Sequence, residues 1–412
     1  MSYSRQAVPY IGINGVNVYG DLKDYITGIT YKENASGATD NIDIQTHDVM
    51  QKWMENWKLD KNTEIELKII TENWWEEGDW DELDCGSFLV DSIDIKGFPV
   101  TCNIGALALP SNGTKNTKKW EKISVAKIAE DICKWLGCEL KYYGDNIVIE
   151  SISQSRQTDI EFLFRICSDY GLGMKVYRST IIIFNRAEYD EADSVGTLHL
   201  RDIAESFTLK DDLCGTYTGA RINYKVKDSD KTYTYTTGTG ERLLILDQTC
   251  NSLKEAELKS KGNLYSENAG AITIKFTCMG GYRIYANTNY WIDQIGYYSG
   301  KYAIDTVTHD ISKNGYTMTV EAHKVATEAD YLAKSAGTDS QVLRGKDLKL
   351  SKVPIYSAST DKAKAGSITG TYYLYDGKKI SGRYRITGSK GSVGKKPLET
   401  YVDGWIDSKY AE

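Results

Sequence analysis

Ser124-Val-Ala-Lys-Ile-Ala-Glu-Asp-Ile-Cys-Lys-Trp-Leu-Gly137 and Thr158-Asp-Ile-Glu-Phe-Leu-Phe-Arg-Ile-Cys-Ser-Asp-Tyr-Gly171 read as two copies of one helix. Ser124 maps to Thr158, Cys133 to Cys167 and Gly137 to Gly171, a constant offset of 34 residues. Each copy opens on a hydroxyl that can cap the first turn. The second adds Glu161 three places on, a capping box. Each closes on a glycine, which takes a left-handed C-terminal position without steric cost. Val125, Ile128, Ile132 and Trp135 fall on one helical face, as do Ile160, Leu163, Cys167 and Tyr170. Short apolar runs follow each helix: Leu140–Tyr143 and Ile147–Ile149, then Met174–Tyr177 and Ile181–Ile183. The spacing therefore predicts a helix followed by a β-hairpin, used twice. Tetratricopeptide repeats have a similar period but are helix pairs, and the second half of each copy here is strand.

On both sides of this unit the pattern alternates as half-buried strands do. Before it come Tyr25–Tyr31, Asn41–Gln45, Glu64–Ile70, Ser87–Ile95 and Val100–Ile104. After it come Ala220–Val226, Lys231–Thr236, Leu243–Leu246, Ala271–Phe276, Tyr302–Thr308 and Tyr316–Glu321, interrupted by a helix starting at Ser252 with Glu255 three places on. Residues 113–123 read as a basic connector, and Glu188–Asp193 as an acidic loop. A third β module follows, with strands at Tyr372–Tyr375, Gly382–Thr387 and Val402–Ile406 and a hairpin turn at Asp376-Gly377. The expected fold is mainly β with some α+β: two tube-type β-barrels flank a duplicated helix–hairpin unit, and a small barrel ends the chain. The expected boundaries are 1–112, 113–195, 196–325, a linker at 326–350 and the last module at 351–412.

Composition narrows the function. The chain has 412 residues, 30 Tyr and only 7 Phe, a balance suited to broad half-exposed faces. The net charge is −7, so nucleic acid is not the default partner. From Arg344 onward there are 14 Lys/Arg and 7 Asp/Glu, giving +7 there and −14 (36 minus 50) in the rest. The eight Cys are scattered, with no Cys-x-x-Cys spacing and no neighbouring His, and read as buried free thiols. The N-terminus is polar, unlike a signal peptide, and no apolar run is long enough to span a membrane.

Catalytic patterns are missing. His47, His199, His309 and His323 lie in separate segments, and a lone His on a strand is usually structural. Thr237-Gly-Thr-Gly-Glu241 lacks the Lys and following helix of a phosphate loop. Glu76 and Asp79 sit among many other carboxylates, a poor setting for a glycosidase pair. No catalytic residue, metal ligand or cofactor is expected. The loop Trp74-Trp-Glu-Glu-Gly-Asp-Trp80 reads either as packing on its own barrel or as a protein-contact anchor through Trp74, Trp75 and Trp80.

Residues Gln154–Gly171 resemble the "Q…sD.eFL.rla..yG" signature of the phage late control gene D family. These are baseplate hubs of contractile tails and R-type bacteriocins, related to the hub part of VgrG spikes. Trp57–Ile69 is similar to a strand pair of the first barrel in that family. Gly300–His309 followed by Gly315–Glu321 is similar to the close of the second. The resemblance implies a homotrimer whose six barrels form a pseudo-sixfold ring between the hexameric tail tube and a trimeric spike; the lysozyme-like or peptidase domain that some hubs carry is not seen in this sequence, and no enzyme is expected. It implies a place in the virion or bacteriocin particle. The implied partners are the tube protein, the spike or needle protein, other baseplate proteins and the tape measure protein, with no membrane insertion and no specific nucleic-acid binding. Outside the shared core, residues 351–412 look like a bacterial SH3-like domain. A candidate binding face there is Tyr375, Arg383, Arg385 and Trp405, for a docked tail protein or a cell-wall polymer. A wall- or glycan-binding protein acting through that module is the rival reading.

Overall fold

The caps read from the sequence form. In the computed structural model Ser124 Oγ accepts the Lys127 N–H (3.2 Å). Thr158 Oγ1 accepts the Glu161 N–H (3.3 Å) while Glu161 returns its carboxylate to the Thr158 N–H (2.9 Å). Gly137 and Gly171 have φ of +69° and +71°, the left-handed region that ends a helix. The structure describes residues 4–60, 63–108, 114–212, 216–225, 232–238, 240, 242–250, 252–325, 346–358, 363–380, 382–393, 395, 400 and 402–411. They fall into two units, 1–325 and 326–412.

The first strand region of unit one comprises β1 (Gln6–Ile13), β2 (Val16–Asn17), helix α1 (Tyr19–Leu22), β3 (Ile26–Asn34), β4 (Asn41–His47), β5 (Glu64–Glu72), β6 (Trp80–Lys96) and β7 (Thr101–Leu107). Next come β8 (Asn116–Ser124), α2 (Val125–Leu136), β9 (Glu139–Tyr143), β10 (Val148–Gln157), α3 (Asp159–Asp169), β11 (Leu172–Tyr177), β12 (Thr180–Asn185) and α4 (Arg186–Glu191).

The duplication is real, but its unit differs from the expected one. Only the second hairpin forms, β11 against β12. β9 instead lies parallel to β12, giving the order β11-β12-β9. β10 turns away and pairs with β8, the segment read as a connector. The repeated unit is therefore strand–helix–strand: β8-α2-β9 and β10-α3-β11. Arg178 and Ser179 both take positive φ, the two-residue turn a tight hairpin needs. The Gly144-Asp-Asn segment of the first copy makes no such turn, and the free strand β8 captures the chain that follows. Val125, Ile128 and Ile132 are buried as expected, as are Ile160, Leu163, Cys167 and Tyr170. Trp135 is not: it is 48% exposed and stacks on Trp120 of β8, with the Lys118 ammonium over both rings. Glu188–Glu191 of the expected acidic loop is helical, because Asn185 accepts the Ala187 N–H (3.1 Å) and starts α4.

The rest of unit one holds β13 (Gly196–His199), α5 (Leu200–Ile203), β14 (Ala204–Asp211), β15 (Gly219–Lys225), β16 (Thr232–Gly238), β17 (Leu243–Cys250), α6 (Leu253–Ala269), β18 (Ile272–Met279), β19 (Asn289–Asp293), β20 (Gly300–Ser312) and β21 (Gly315–Lys324). Continuous pairing joins the two β regions in the order β14-β18-β21-β20-β3-β4-β7-β6-β5-β1-β2, with β13 and β19 branching from β20. β20 makes the join. Its N-terminal part pairs with β19, and after a register shift at Ile304/Thr306 its remainder pairs with β3. A bulge bends a strand and lets it change partners. The main apolar core of this unit includes Ile29, Ile44, Leu67, Phe88, Phe276, Val307 and Val320 together with the inner faces of α2 and α3, and a smaller one, Ile222, Cys250 and Ala256, lies between α6 and its sheet.

Helix α6 backs the separate sheet β16-β15-β17 and crosses α3 where two glycines meet. A Cβ on Gly262 would lie 2.5 Å from the Gly171 nitrogen and 2.8 Å from the Tyr170 carbonyl carbon. Both obstacles are backbone. On an open helix face Gly→Ala gains up to about 1 kcal/mol. Here Gly262→Ala is expected to lose about 1–3 kcal/mol through overpacking. A thermal melt by circular dichroism checks it, and an unchanged or higher Tm would contradict the close crossing.

Unit two begins earlier than expected. Its strands are β22 (Asp347–Ile355), β23 (Gly366–Ile380), β24 (Arg383–Thr387) and β25 (Gly404–Asp407), in that spatial order and all antiparallel. Leu348, Leu350, Val353, Leu374, Tyr384, Ile386 and Ile406 form its core. Tyr356 and Trp405 exchange two backbone hydrogen bonds of 2.9 Å, which returns the chain after β22 to β25. Asp376-Gly377 is not the hairpin turn: it lies inside β23 at a register shift, and Gly382, which precedes β24, has φ +78°. Of the expected linker, residues 326–345 lie outside the described residues.

Candidate protein-contact site

The Trp-rich loop is organised by one carboxylate. Asp79 accepts the backbone N–H groups of Trp74 (2.5 Å), Trp75 (2.8 Å) and Glu76 (3.3 Å). The Trp75 bond leads the contacts that hold the Asp79 carboxyl below its ordinary range. The loop divides its three indoles. Trp74 is buried, donates Nε1–H to the Gly280 carbonyl (2.7 Å) and packs on the Tyr316 ring, so it anchors on the second β region and not on its own. Trp75 is 45% exposed, edge-on to Tyr282, and Trp80 is 60% exposed. Only Trp75 and Trp80 remain available as contact residues. Trp74→Ala is expected to cost about 3 kcal/mol, while Trp80→Ala stays within about 0.5 kcal/mol. Melts of the two variants side by side read this directly; equal losses would show that the loop does not split in this way.

Behind Trp74 an aromatic stack runs through the β3–β20–β21 join. His309 lies between Tyr31 (ring centroids 5.5 Å apart) and Tyr316 (5.9 Å), and its Nδ1 is 2.7 Å from the Tyr316 hydroxyl. Burial pushes the His309 pKa down to about 4, so the ring is neutral at pH 7.

Two ionic clusters with a buried cation lie elsewhere in unit one, and neither is legible from local sequence pattern. On β11, Lys175 reaches Glu33 Oε1 (3.0 Å), Asp40 Oδ2 (3.4 Å) and the Asn34 carbonyl (3.1 Å). The other Glu33 oxygen accepts the Ala286 N–H (3.1 Å). One cation thus ties β3, the β3–β4 turn, the helix-bearing unit and the second β region. Burial dominates at Asp40 and raises its pKa to about 6, against the pull of Lys175. On β21, His323 Nε2 lies 2.9 Å from Asp190 of α4, and its Nδ1 lies 2.9 Å from Asp305 of β20. Burial alone would lower the His323 pKa; hydrogen bonds to Asp190 and Asp305 prevail and raise it to about 9. Asn289 caps the same helix, its Nδ2 donating to the carbonyls of Tyr189 (2.6 Å) and Ala192 (3.0 Å). The available signal was a Lys inside the apolar run Met174–Tyr177, but no local pattern names its partners.

In unit two the expected binding face is largely turned inward or neutralised. Tyr375 is buried and donates its hydroxyl to the Lys395 carbonyl. Arg383 pairs with Asp407 (2.9 Å) and lies over the Tyr356 ring. Arg385 pairs with Asp376 (2.6 Å) and lies over Trp405. The two guanidiniums and Trp405 do sit side by side on β24 and β25.

Among the described residues no grouping of His, Cys, Asp and Glu could hold a metal ion, and no helix is long and apolar enough to cross a membrane. A 150 Å³ cavity lies beside His323, lined among others by Phe164, Arg186 and Asp305.

No family model matches the sequence, and no curated protein matches it. The solved structures do. The fold is shared with tail proteins. The 43 kDa tail protein of prophage MuSo2 from Shewanella oneidensis superposes with a TM-score of 0.57 at 13% identity, covering 77% of this chain and 98% of that one. A tail protein from Neisseria meningitidis gives 0.57 at 11%, covering 77% and 96%. A component of the Escherichia coli type VI secretion system, described as similar to T4 tail proteins gp27 and gp5, gives 0.49 at 10%, covering 92% and 88%. The clusters at Lys175 and His323 each join three segments of the chain.

Proposed function

We propose that this chain is the baseplate hub of a contractile tail or tail-like bacteriocin, a homotrimer that joins a hexameric tube to a trimeric spike. The observation that carries the reading is the fold shared with two tail proteins across nearly their whole length. The family signatures support it by position. Gly300–His309 and Gly315–Glu321 fall on β20 and β21, the strands at the join of the two β regions. Two such regions per chain give a trimer six similar units, which is what a hexameric tube requires of an adaptor. The exposed Trp75 and Trp80 serve as contact residues for a baseplate neighbour. Unit two acts as an SH3-like docking module. Its arginines are already paired with its own carboxylates, which weighs against a wall polymer as the main ligand.

Native mass measurement tests the reading, with the chain alone and with its cognate tube protein. The expected results are a trimer, or ring-shaped particles on mixing. A monomer in both samples would transfer the weight to a wall-binding role for residues 351–412, tested next by sedimentation with cell walls.

A further inference from the structure

Helix α2 ends with two cysteines placed face to face. Gly137 turns the chain left-handed, and the Cys138 N–H then donates to the Cys133 carbonyl at 2.9 Å. This six-residue closure brings the side chain of the residue after the glycine back onto the last turn. The Cys138 thiol donates to the Cys133 carbonyl oxygen (Sγ to O 3.6 Å), which keeps its sulfur on the turn that carries Cys133. Cys133 is buried and Cys138 is half-buried. The two thiols differ in reactivity. The hydrogen bond from Cys133 holds the Cys138 thiol below its ordinary range. Burial pushes up the thiols of Cys85, Cys102, Cys167, Cys250 and Cys278, and all five side chains are buried. A thiolate that is both accessible and favoured is the one that attacks a disulfide.

We propose that Cys133 and Cys138 form a disulfide-modification site, in which Cys138 attacks a small oxidising disulfide and Cys133 resolves the adduct. In the first step the Cys138 thiolate displaces one glutathione thiolate from oxidised glutathione and leaves a mixed disulfide. In the second the Cys133 sulfur attacks Cys138 Sγ as its proton passes to the expelled glutathione thiolate, so the buried Cys133 need not ionise beforehand. Two protein thiols are oxidised and one glutathione disulfide is reduced to two thiols, so electrons and atoms balance. The product closes the C-terminal turn of α2 covalently and needs little movement, because the backbone already holds the two side chains together.

The test uses the full, folded chain in oxidised glutathione at pH 8, followed by alkylation of remaining thiols and non-reducing tryptic mass spectrometry. Cleavage after Lys134 separates the two cysteines, so a bridge joins the peptide 128–134 to the peptide 135–141. The expected result is that joined pair in the wild type, and a glutathione adduct retained on Cys138 in Cys133→Ser. Cys138 recovered alkylated, held as a lasting adduct in the wild type, or joined to a different cysteine would overturn the proposal.

Discussion

Replacing Lys175 by Met will destabilise unit one by about 3–5 kcal/mol at neutral pH, the cost of removing one partner from a buried ion pair. Met matches the length of the lysine stem, so packing is largely preserved and the loss reports on charge. Glu33 and Asp40 would then face each other inside the joint with no cation between them. The pH dependence identifies the cause. Asp40 already has a raised pKa of about 6, above its ordinary 3.8. A carboxyl raised on folding contributes stability that is fully present below pH 3.8 and is lost as pH rises through about 6. Without Lys175 the carboxyl is raised further, so this loss grows and extends upward in pH. The variant should therefore regain much of its deficit between pH 7.5 and pH 5, while the wild type changes less. Thermal melts at both pH values measure it. A deficit equal at the two values, or one below about 1 kcal/mol, would mean that the cluster is not held by charge.

Local chemistry was legible in the sequence, and pairing was not. The caps at Ser124 and Thr158, the terminal glycines and the alternating strands all formed, because each depends on neighbours within a few residues. The first hairpin failed because strand choice is a competition. Asn116–Ser124 alternates only weakly, yet it supplies the edge that captures β10. The Asp376-Gly377 signal failed similarly, since the longer pairing of β23 with β24 carried the reversal to Gly382. Trp135 was assigned to the core by its spacing, but stacking on Trp120 under Lys118 gives it a partner on the surface. The candidate contact residues were only partly legible. Nothing in the loop composition distinguishes Trp74 from Trp75. The difference is made some two hundred residues away by Gly281, whose missing side chain leaves room for one indole, and by Gly280, whose carbonyl accepts that indole's N–H. Arg383 and Arg385 looked like a basic face until the fold brought Asp407 and Asp376 beside them.

His323 gives a second large effect with the opposite pH signature. His323→Gln keeps two hydrogen-bonding groups near Asp190 and Asp305 but cannot carry their charge. Removing the cation from between them is expected to cost about 3–5 kcal/mol at pH 6. The sign is set by the raised pKa of about 9 against an ordinary 6.5. A base raised on folding contributes stability that is fully present below pH 6.5 and is lost as pH rises through about 9. The shift itself corresponds to about 3 kcal/mol. The wild type should therefore weaken between pH 6.5 and pH 9, and the variant should be flat there. The two curves draw together above about pH 9, where the wild-type His323 is neutral in the folded and the unfolded chain alike. In the wild type this window lies above that of Asp40; Lys175→Met regains stability toward pH 5 whereas the His323→Gln deficit narrows toward pH 9, so a single pH series separates the two joints. If the wild type and His323→Gln curves ran parallel from pH 6 to pH 9, His323 would be neutral in the fold, and the α4 docking would rest on Asn289 and its carbonyl partners instead.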